Sequence, residues 1–350
     1  MSSVEARPAG WNATRVGIAA ALVAAMCAFG FGVYHAAALL RGATKTQVQR
    51  PTETRAAVLP GTMYVEQAGA IYRFNQGSFV RITPEDGWTQ PAISPDGNWI
   101  VAVKRSLDRS DLYLLRPNGR VVAQLTHNQS RDIGRNHWAF YPRFGPDSST
   151  LYFSYDPKDP YNSYRVDLAI FATNADPPSS QAVQWTVPNE YTGGDVDPVP
   201  LRDGGLIYTK FSIDDNSNVH SQVWLQARRG SPGVGLTKAA DDCSQPAVSK
   251  DETLLAMVCR HGGLQTADLE VASLDVAGRD IGAPATYVKE KLVGSPSFSP
   301  DGKLIAFMAP GDRGGPFQLW TVAPNSAQTP PSQITKNLDL DPTSTPNWTT

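Results

Sequence analysis

The chain has 350 residues, 41% of them hydrophobic and 18% charged, with a net charge of −2 at pH 7. That balance belongs to a folding polypeptide and excludes both a disordered chain and a surface basic enough to track nucleic-acid phosphates. Three cysteines exclude a disulfide scaffold, while 29 glycines and 28 prolines point to frequent turns.

Residues 1–15 form a polar tail carrying Arg7 and Arg15, after which Val16 to Leu40 runs for about 25 residues without Asp, Glu, Lys or Arg. A bilayer-crossing helix needs about 20 apolar residues, so 16–40 is expected to be a transmembrane helix of the uncleaved signal-anchor kind. The competing reading is a signal peptide cleaved at Ala36-Ala37-Ala38, against which the apolar run is longer than a usual hydrophobic region. Cys27 follows Met26, where lipoprotein processing expects a small residue, and is read as an ordinary membrane residue. Arg41, Lys45, Arg50 and Arg55 oppose the two N-terminal arginines, so charge leaves orientation undecided. Residues 41–60 are polar and without period, as in a tether.

The rest of the chain, 61–350, reads as short strands. Met63-Tyr-Val-Glu, Ala70-Ile-Tyr-Arg-Phe and Phe79-Val-Arg-Ile-Thr come first. A hairpin grammar then takes over, strongest at Pro296-Ser-Phe-Ser-Pro-Asp-Gly with the return Leu304-Ile-Ala-Phe. Pro presets φ and Gly supplies positive φ in its turn. Copies begin at Pro91 and Pro142, degraded copies at Pro198 and Pro246, and a half-copy, Pro346-Asn-Trp-Thr, ends the chain. The anchoring prolines are spaced by roughly 50 residues, close to propeller blade periods. A second theme closes five periods, a hydrophobic residue followed by Thr: Ile82-Thr83, Leu125-Thr126, Trp185-Thr186, Leu236-Thr237 and Ile334-Thr335. Each period thus holds four short strands, the content of one blade.

The Pro-x-aromatic-Ser-Pro-Asp-Gly hairpin with its hydrophobic-Thr ending resembles the PD40 (WD40-like) repeat of TolB-like β-propellers, over about residues 61–350. The expected fold is therefore all-β, a six-bladed propeller behind an N-terminal transmembrane helix. Three strands at the start and one at the end make four, so the C-terminal strand is expected to complete the first blade. The resemblance implies that each proline-anchored strand lines the channel. It places Gln90, Tyr141, Asp197, Gln245, Ser295 and Thr345 at the channel rim. By the same analogy the large domain lies in the periplasm or outside the cell.

The segments ahead of Tyr141 and Asp197 are the longest connections and the richest in charge and aromatics. Loops of this composition on a rigid scaffold are where recognition usually resides. Arg131, Arg135, His137, Trp138, Tyr141, Glu190, Tyr191, Asp195 and Asp197 are therefore the expected partner-binding residues, the partner being an envelope or membrane protein. No nucleic-acid partner is expected.

No Gly-x-Ser-x-Gly elbow, His-Glu-x-x-His pair or phosphate loop occurs in 61–350, so no catalytic residue is assigned and no cofactor is implied. His127, His137, His220 and His261 are spread over three periods, and solvated loops explain them. Asp195 and Asp197, with Asp339 and Asp341, carry oxygen donors for Ca²⁺, although turn-forming aspartates have the same pattern; no metal is assigned. The run Ile213-Asp-Asp-Asn-Ser-Asn reads as a hairpin tip. Cys243 and Cys259 flank one hairpin near cross-strand positions, where a disulfide is geometrically open to them. The function expected is a membrane-anchored extracytoplasmic interaction module or an extrinsic subunit of a membrane complex. The alternative is a hydrolase or lyase acting on a peptide or glycan in the channel.

Overall fold

The computed structural model describes residues 58–350 apart from 160, 162–164, 180, 264, 312 and 313. In it the proline-anchored hairpins become the two inner strands of successive sheets. The first sheet holds β1 (Thr62–Gln67), β2 (Ala70–Asn75) and β3 (Ser78–Arg81), and the second β4 (Trp88–Ile93), β5 (Ile100–Arg105), β6 (Ser110–Leu115) and β7 (Val121–Gln124). The third holds β8 (Ala139–Phe144), β9 (Thr150–Tyr155), β10 (Ala169–Asn174) and β11 (Val183–Gln184), and the fourth β12 (Asp195–Pro200), β13 (Leu206–Ile213), β14 (Val219–Gln226) and β15 (Gly233–Gly235). The fifth holds β16 (Cys243–Val248), β17 (Leu254–Cys259), β18 (Ala267–Asp275), β19 (Asp280–Ile281) and β20 (Ala285–Lys291). The sixth holds β21 (Gly294–Phe298), β22 (Ile305–Pro310), β23 (Phe317–Val322) and β24 (Ser332–Gln333).

The last strand, β25 (Asn347–Thr349), pairs with β1 in the register Thr62↔Thr349, Met63↔Trp348 and Tyr64↔Asn347. The ring is thus a six-bladed propeller closed by its C-terminal strand. Trp348 Nε1 donates to Pro60 O at 2.6 Å, and Asn347 Oδ1 accepts from Ile93 N at 2.9 Å, so the closing strand is tied both to its own blade and to the next one.

The apolar core is divided into six clusters, one in each gap between successive sheets. Alternate residues of one strand serve opposite gaps. Leu255 and Met257 pack toward the fourth blade, whereas Ala256 and Val258 pack toward the sixth. Both faces of a blade are therefore buried, which is why inner strands such as Leu254-Leu-Ala-Met-Val read as unbroken apolar runs. Each fully buried Leu or Ile contributes about 1.5–3 kcal/mol.

The hydrophobic-Thr endings have one mechanical role. In all five, the hydrophobic residue's N–H continues the ladder to the third strand, as Leu125 N does to Leu112 O at 2.8 Å. The Thr hydroxyl then accepts the N–H of that same third-strand residue: Ile71, Leu112, Ile170, Val223 and Leu319 donate to Thr83, Thr126, Thr186, Thr237 and Thr335 at 2.8–3.0 Å. The outer strand can end there without orphaning a buried donor. The fifth blade has no such ending and departs from the four-strand expectation. Its nine-residue β18 pairs with β19 at one end and with β20 at the other.

Among the described residues no helix is long and apolar enough to cross a membrane. The segment 16–40 read as a transmembrane helix, like the tail 1–15 and most of the tether, lies outside the described residues.

Candidate functional site: the channel and the loop face

Each of five inner strands is interrupted by a bulge at the residue before its proline. Gln90, Tyr141, Asp197, Gln245 and Ser295 all take φ between 48° and 55°, and the register of their strands shifts there. A left-handed non-glycine residue costs about 1–3 kcal/mol, and hydrogen bonds running around the ring offset it. Gln90 N donates to Ser344 Oγ at 2.9 Å, and Gln90 Oε1 accepts from Tyr141 N at 2.8 Å. Thr209 Oγ1 donates to Asp197 Oδ2 at 3.3 Å and accepts from Gln245 N at 3.0 Å. Gln245 Oε1 accepts from Ser295 N at 2.7 Å, and Ser295 Oγ donates to Pro342 O at 2.8 Å. The sixth rim residue, Thr345, is outside the positive-φ set; Ser344 supplies the ring contact there.

Gln90, Tyr141, Arg143, Asp197 and Thr345, with Pro91 and Pro142, line a narrow space in the channel. Burial drives the Asp197 carboxyl up to about 6, against the opposing pull of Arg143 and a hydrogen bond from Thr209. Burial pushes the Tyr141 hydroxyl up as well, helped by Asp197 and Asp341. The opposite mouth is bordered by Ile93, Val248, Lys250, Phe298 and Trp348.

A second acidic feature lies where β1 meets the loop before β25. Glu66 is 4% exposed and its Oε1 accepts from Gly69 N. Burial, with Asp341 and Asp339 nearby, raises its carboxyl from 4.5 to about 8 despite that hydrogen bond. Glu66 is thus a neutral acid at pH 7 that hydrogen-bonds Asp341.

Because strands within a blade are antiparallel, the turn between second and third strands and the connection to the next blade leave the sheet on one side. On this side the connections of the second to fourth blades are ordered by polar contacts. Asn136 Nδ2 donates to Asp108 Oδ2 at 2.8 Å, Asn128 Nδ2 donates to Ser110 O at 2.6 Å, and Asp132 Oδ1 accepts from Gly134 N at 3.1 Å. Arg165 pairs with Asp159, Asp167 and Glu190 at 2.8, 2.9 and 3.6 Å and lies over the Tyr191 ring at 5.1 Å. On this framework Leu107, Ile133, Tyr161, Val166, Val187 and Tyr191 remain exposed, Tyr191 to 64% and Val187 to 80%.

The nine expected partner residues therefore separate into groups. Arg131, Arg135, Glu190 and Tyr191 are exposed on the loop face. His137 is half-buried, stacks on Tyr155 and contacts Asp156 O through Nδ1 at 2.8 Å, while Trp138 stacks on Phe140. Tyr141 and Asp197 line the channel. Asp195 is fully buried, bonded to Lys210 at 3.1 Å with its second oxygen unpartnered, and lies beneath the face. Asp195 and Asp197 are thus not a joint ligand set, and Asp341 belongs to Glu66. Cys243 and Cys259 face each other in the β16–β17 register and are joined as a disulfide.

Glu66 and Arg143 carry chemistry outside the residues expected from the sequence. Their signal was a charged residue inside an apolar strand, Glu66 after Met63-Tyr-Val and Arg143 directly after an anchoring proline.

No known family model matches the sequence, and no curated protein matches it. Solved structures do match in shape. TolB from Acinetobacter baumannii superposes with a TM-score of 0.59 at 16% identity, over 82% of this chain and 66% of that one, so the chain spans just under two thirds of its length. A putative TolB from Agrobacterium tumefaciens gives 0.57 at 12% identity, over 82% and 93%. Hydrazine synthase from Kuenenia stuttgartiensis gives 0.60 at 11%, over 83% and 46%. The class is a closed six-bladed β-propeller with a polar bulge ring in its channel. Its blades are arranged as in the TolB proteins, and the fold is TolB-like.

Proposed function

We propose that this protein is a membrane-anchored extracytoplasmic propeller that binds another envelope or membrane protein, as an interaction module or as an extrinsic subunit of a membrane complex. The observation that carries the reading is the loop face of the second to fourth blades. Six large apolar side chains stay exposed there, framed by the Arg165 network and the charges of Arg131, Arg135 and Glu190. Aromatic and arginine anchors inside a charged rim dominate interface energies, and exposed apolar groups on an ordered frame mark interaction surfaces. The apolar run 16–40 supplies the anchor, and the TolB-like fold favours placing the propeller in the periplasm or outside the cell.

Affinity capture from detergent-solubilised membranes, with the full chain as bait, tests this. Recovery of a stoichiometric membrane partner, lost in the Trp138→Ala/Tyr191→Ala variant, is the expected result. Recovery of the protein alone, together with turnover of a small substrate by the purified chain, would overturn it.

That second outcome corresponds to a hydrolase or lyase working on a peptide or glycan in the channel, and one observation favours it. Asp197, raised to about 6, shares the channel with Tyr141 and Arg143. An acid poised near neutral pH beside a cation suits proton transfer. The histidines do not add to it, since none is among the residues lining that space.

A further inference from the structure

Eight carboxylates among the described residues are buried: Glu66, Asp111, Asp156, Asp167, Asp195, Asp242, Asp268 and Glu270. Five of them, Asp111, Asp156, Asp167, Asp195 and Asp242, have a Lys or Arg nitrogen within 3.7 Å. Glu66 hydrogen-bonds Asp341. Asp268 and Glu270 remain, both more than nine-tenths buried, side by side on β18 and pointing the same way because they are two residues apart in a strand. Among the described ion pairs neither meets Lys or Arg, and Glu270 pairs with His261 alone.

His261 Nε2 is 2.7 Å from Glu270 Oε1, and one donor atom from each of His261, Asp268 and Glu270 lies within 4.8 Å of the other two. Asp268 Oδ1 is held by Glu290 N at 2.6 Å, which fixes the carboxylate. Asp241 Oδ1 stands 3.7 Å from His261 Nδ1, on the far side of the ring, from which a carboxylate orients a ligating imidazole. His261 is 45% exposed, so the group opens to solvent on one side. We propose that His261, Asp268 and Glu270 bind a divalent transition cation, Zn²⁺ or Mn²⁺, with Asp241 positioning the imidazole.

Two carboxylates and one imidazole neutralise such an ion where no basic side chain does. An imidazole nitrogen in the set favours Zn²⁺ or Mn²⁺ over Ca²⁺ and Mg²⁺, which prefer all-oxygen shells. Three protein ligands at about 2.0–2.2 Å, with water in the open position, need donor atoms a little over 3 Å apart, between the spacings present. The β18–β20 pairing unique to the fifth blade makes the site, since β20 supplies the N–H that holds Asp268. The ion would tie the turn at His261 to the blade edge. The Cys243 and Cys259 sulfurs also lie within 4.8 Å of Glu270, and as a disulfide they are not ligands.

The test is equilibrium dialysis of the full chain in detergent, purified without a metal-binding tag and without reductant, against Zn²⁺, Mn²⁺ and Ca²⁺. One Zn²⁺ or Mn²⁺ per chain, weakened at least about tenfold in both Glu270→Gln and the half-exposed His261→Gln, with Ca²⁺ bound more weakly, is expected. His261→Gln changes a side chain on the surface, so an intact melting transition in that variant keeps a loss of binding interpretable. Absence of stoichiometric binding, binding equal to wild type in both variants, or binding that requires a dithiol reductant to open the disulfide would each overturn the assignment.

Discussion

Replacing Glu66 by Gln is expected to flatten the pH dependence of stability between about pH 5 and 9. The fold holds this carboxyl up at about 8 instead of 4.5, chiefly by burial and then by Asp341 and Asp339. Below 4.5 both folded and unfolded chains keep the proton, and the contribution is fully present. As pH rises the unfolded chain releases its proton first, so folding loses stability steadily until Glu66 itself ionises near 8, after which the loss is complete. The gap from 4.5 to about 8, at about 1.4 kcal/mol per pH unit, sets a ceiling on the order of 5 kcal/mol. Gln keeps the shape, donates an amide N–H to Asp341 in place of the carboxyl proton, and still accepts from Gly69 N. Urea denaturation should therefore find E66Q close to wild type at pH 5 and about 2–5 kcal/mol more stable at pH 9. Asp197, raised to about 6, gives a slope of the same sign in both proteins and cancels in their difference. Parallel stability profiles for the two proteins across this range would refute the buried, protonated assignment.

Deleting Pro346 to Thr350 removes the strand that closes the ring and should cost several kcal/mol, on the order of 10 °C in Tm by calorimetry; an unchanged Tm would count against closure. Gly194→Ala places a Cβ 2.1 Å from Leu168 O at φ +101°, where the parallel bridge joins the third and fourth blades, and about 3 kcal/mol should be lost in chemical denaturation. Cys243→Ser/Cys259→Ser opens a loop of 16-residue separation and should cost about 3 kcal/mol, read in denaturant under non-reducing conditions. Trp138→Ala with Tyr191→Ala should weaken partner capture while shifting Tm by no more than about 3 °C, since Tyr191 is largely exposed.

Fold and site were legible in the sequence to different degrees, for physical reasons. The blade count rests on local chemistry that repeats. Ser94, Ser249 and Ser299 each bond an Asp two residues on and accept an N–H five residues on, so even the degraded turn at Lys250 keeps its Ser and Asp. The hydrophobic-Thr ending is likewise set within one blade. The bulges were visible only as prolines: Pro91 or Pro142 marks the strand, but the positive φ of the residue before it depends on hydrogen bonds from the neighbouring blade, distant in sequence. Asp195 and Asp197 illustrate the consequence. With no bulge, residues two apart in a strand would face the same way, as Asp268 and Glu270 do. The register shift between Val196 and Val199 separates them, sending Asp197 into the channel and leaving Asp195 beneath Lys210.

The same contrast explains why the charged chemistry gathers on one side of the ring. Turns between first and second strands are short, fixed by Ser-Pro-Asp-Gly, and have little freedom to vary without losing the hairpin. On the other side, the connection to the next blade needs only to deliver a proline-anchored strand to the channel. Its length and composition are otherwise unconstrained by the core, whose six clusters lie between the sheets. Glu66, Asp341, the Arg165 network, the exposed Tyr191 and the His261 group all occur toward that side, on blade connections, on turns between second and third strands, or on the strand segments that flank those turns. The closed ring therefore fixes one face by its folding code and leaves the other to recognition, which is where a partner and a metal ion are both expected to bind.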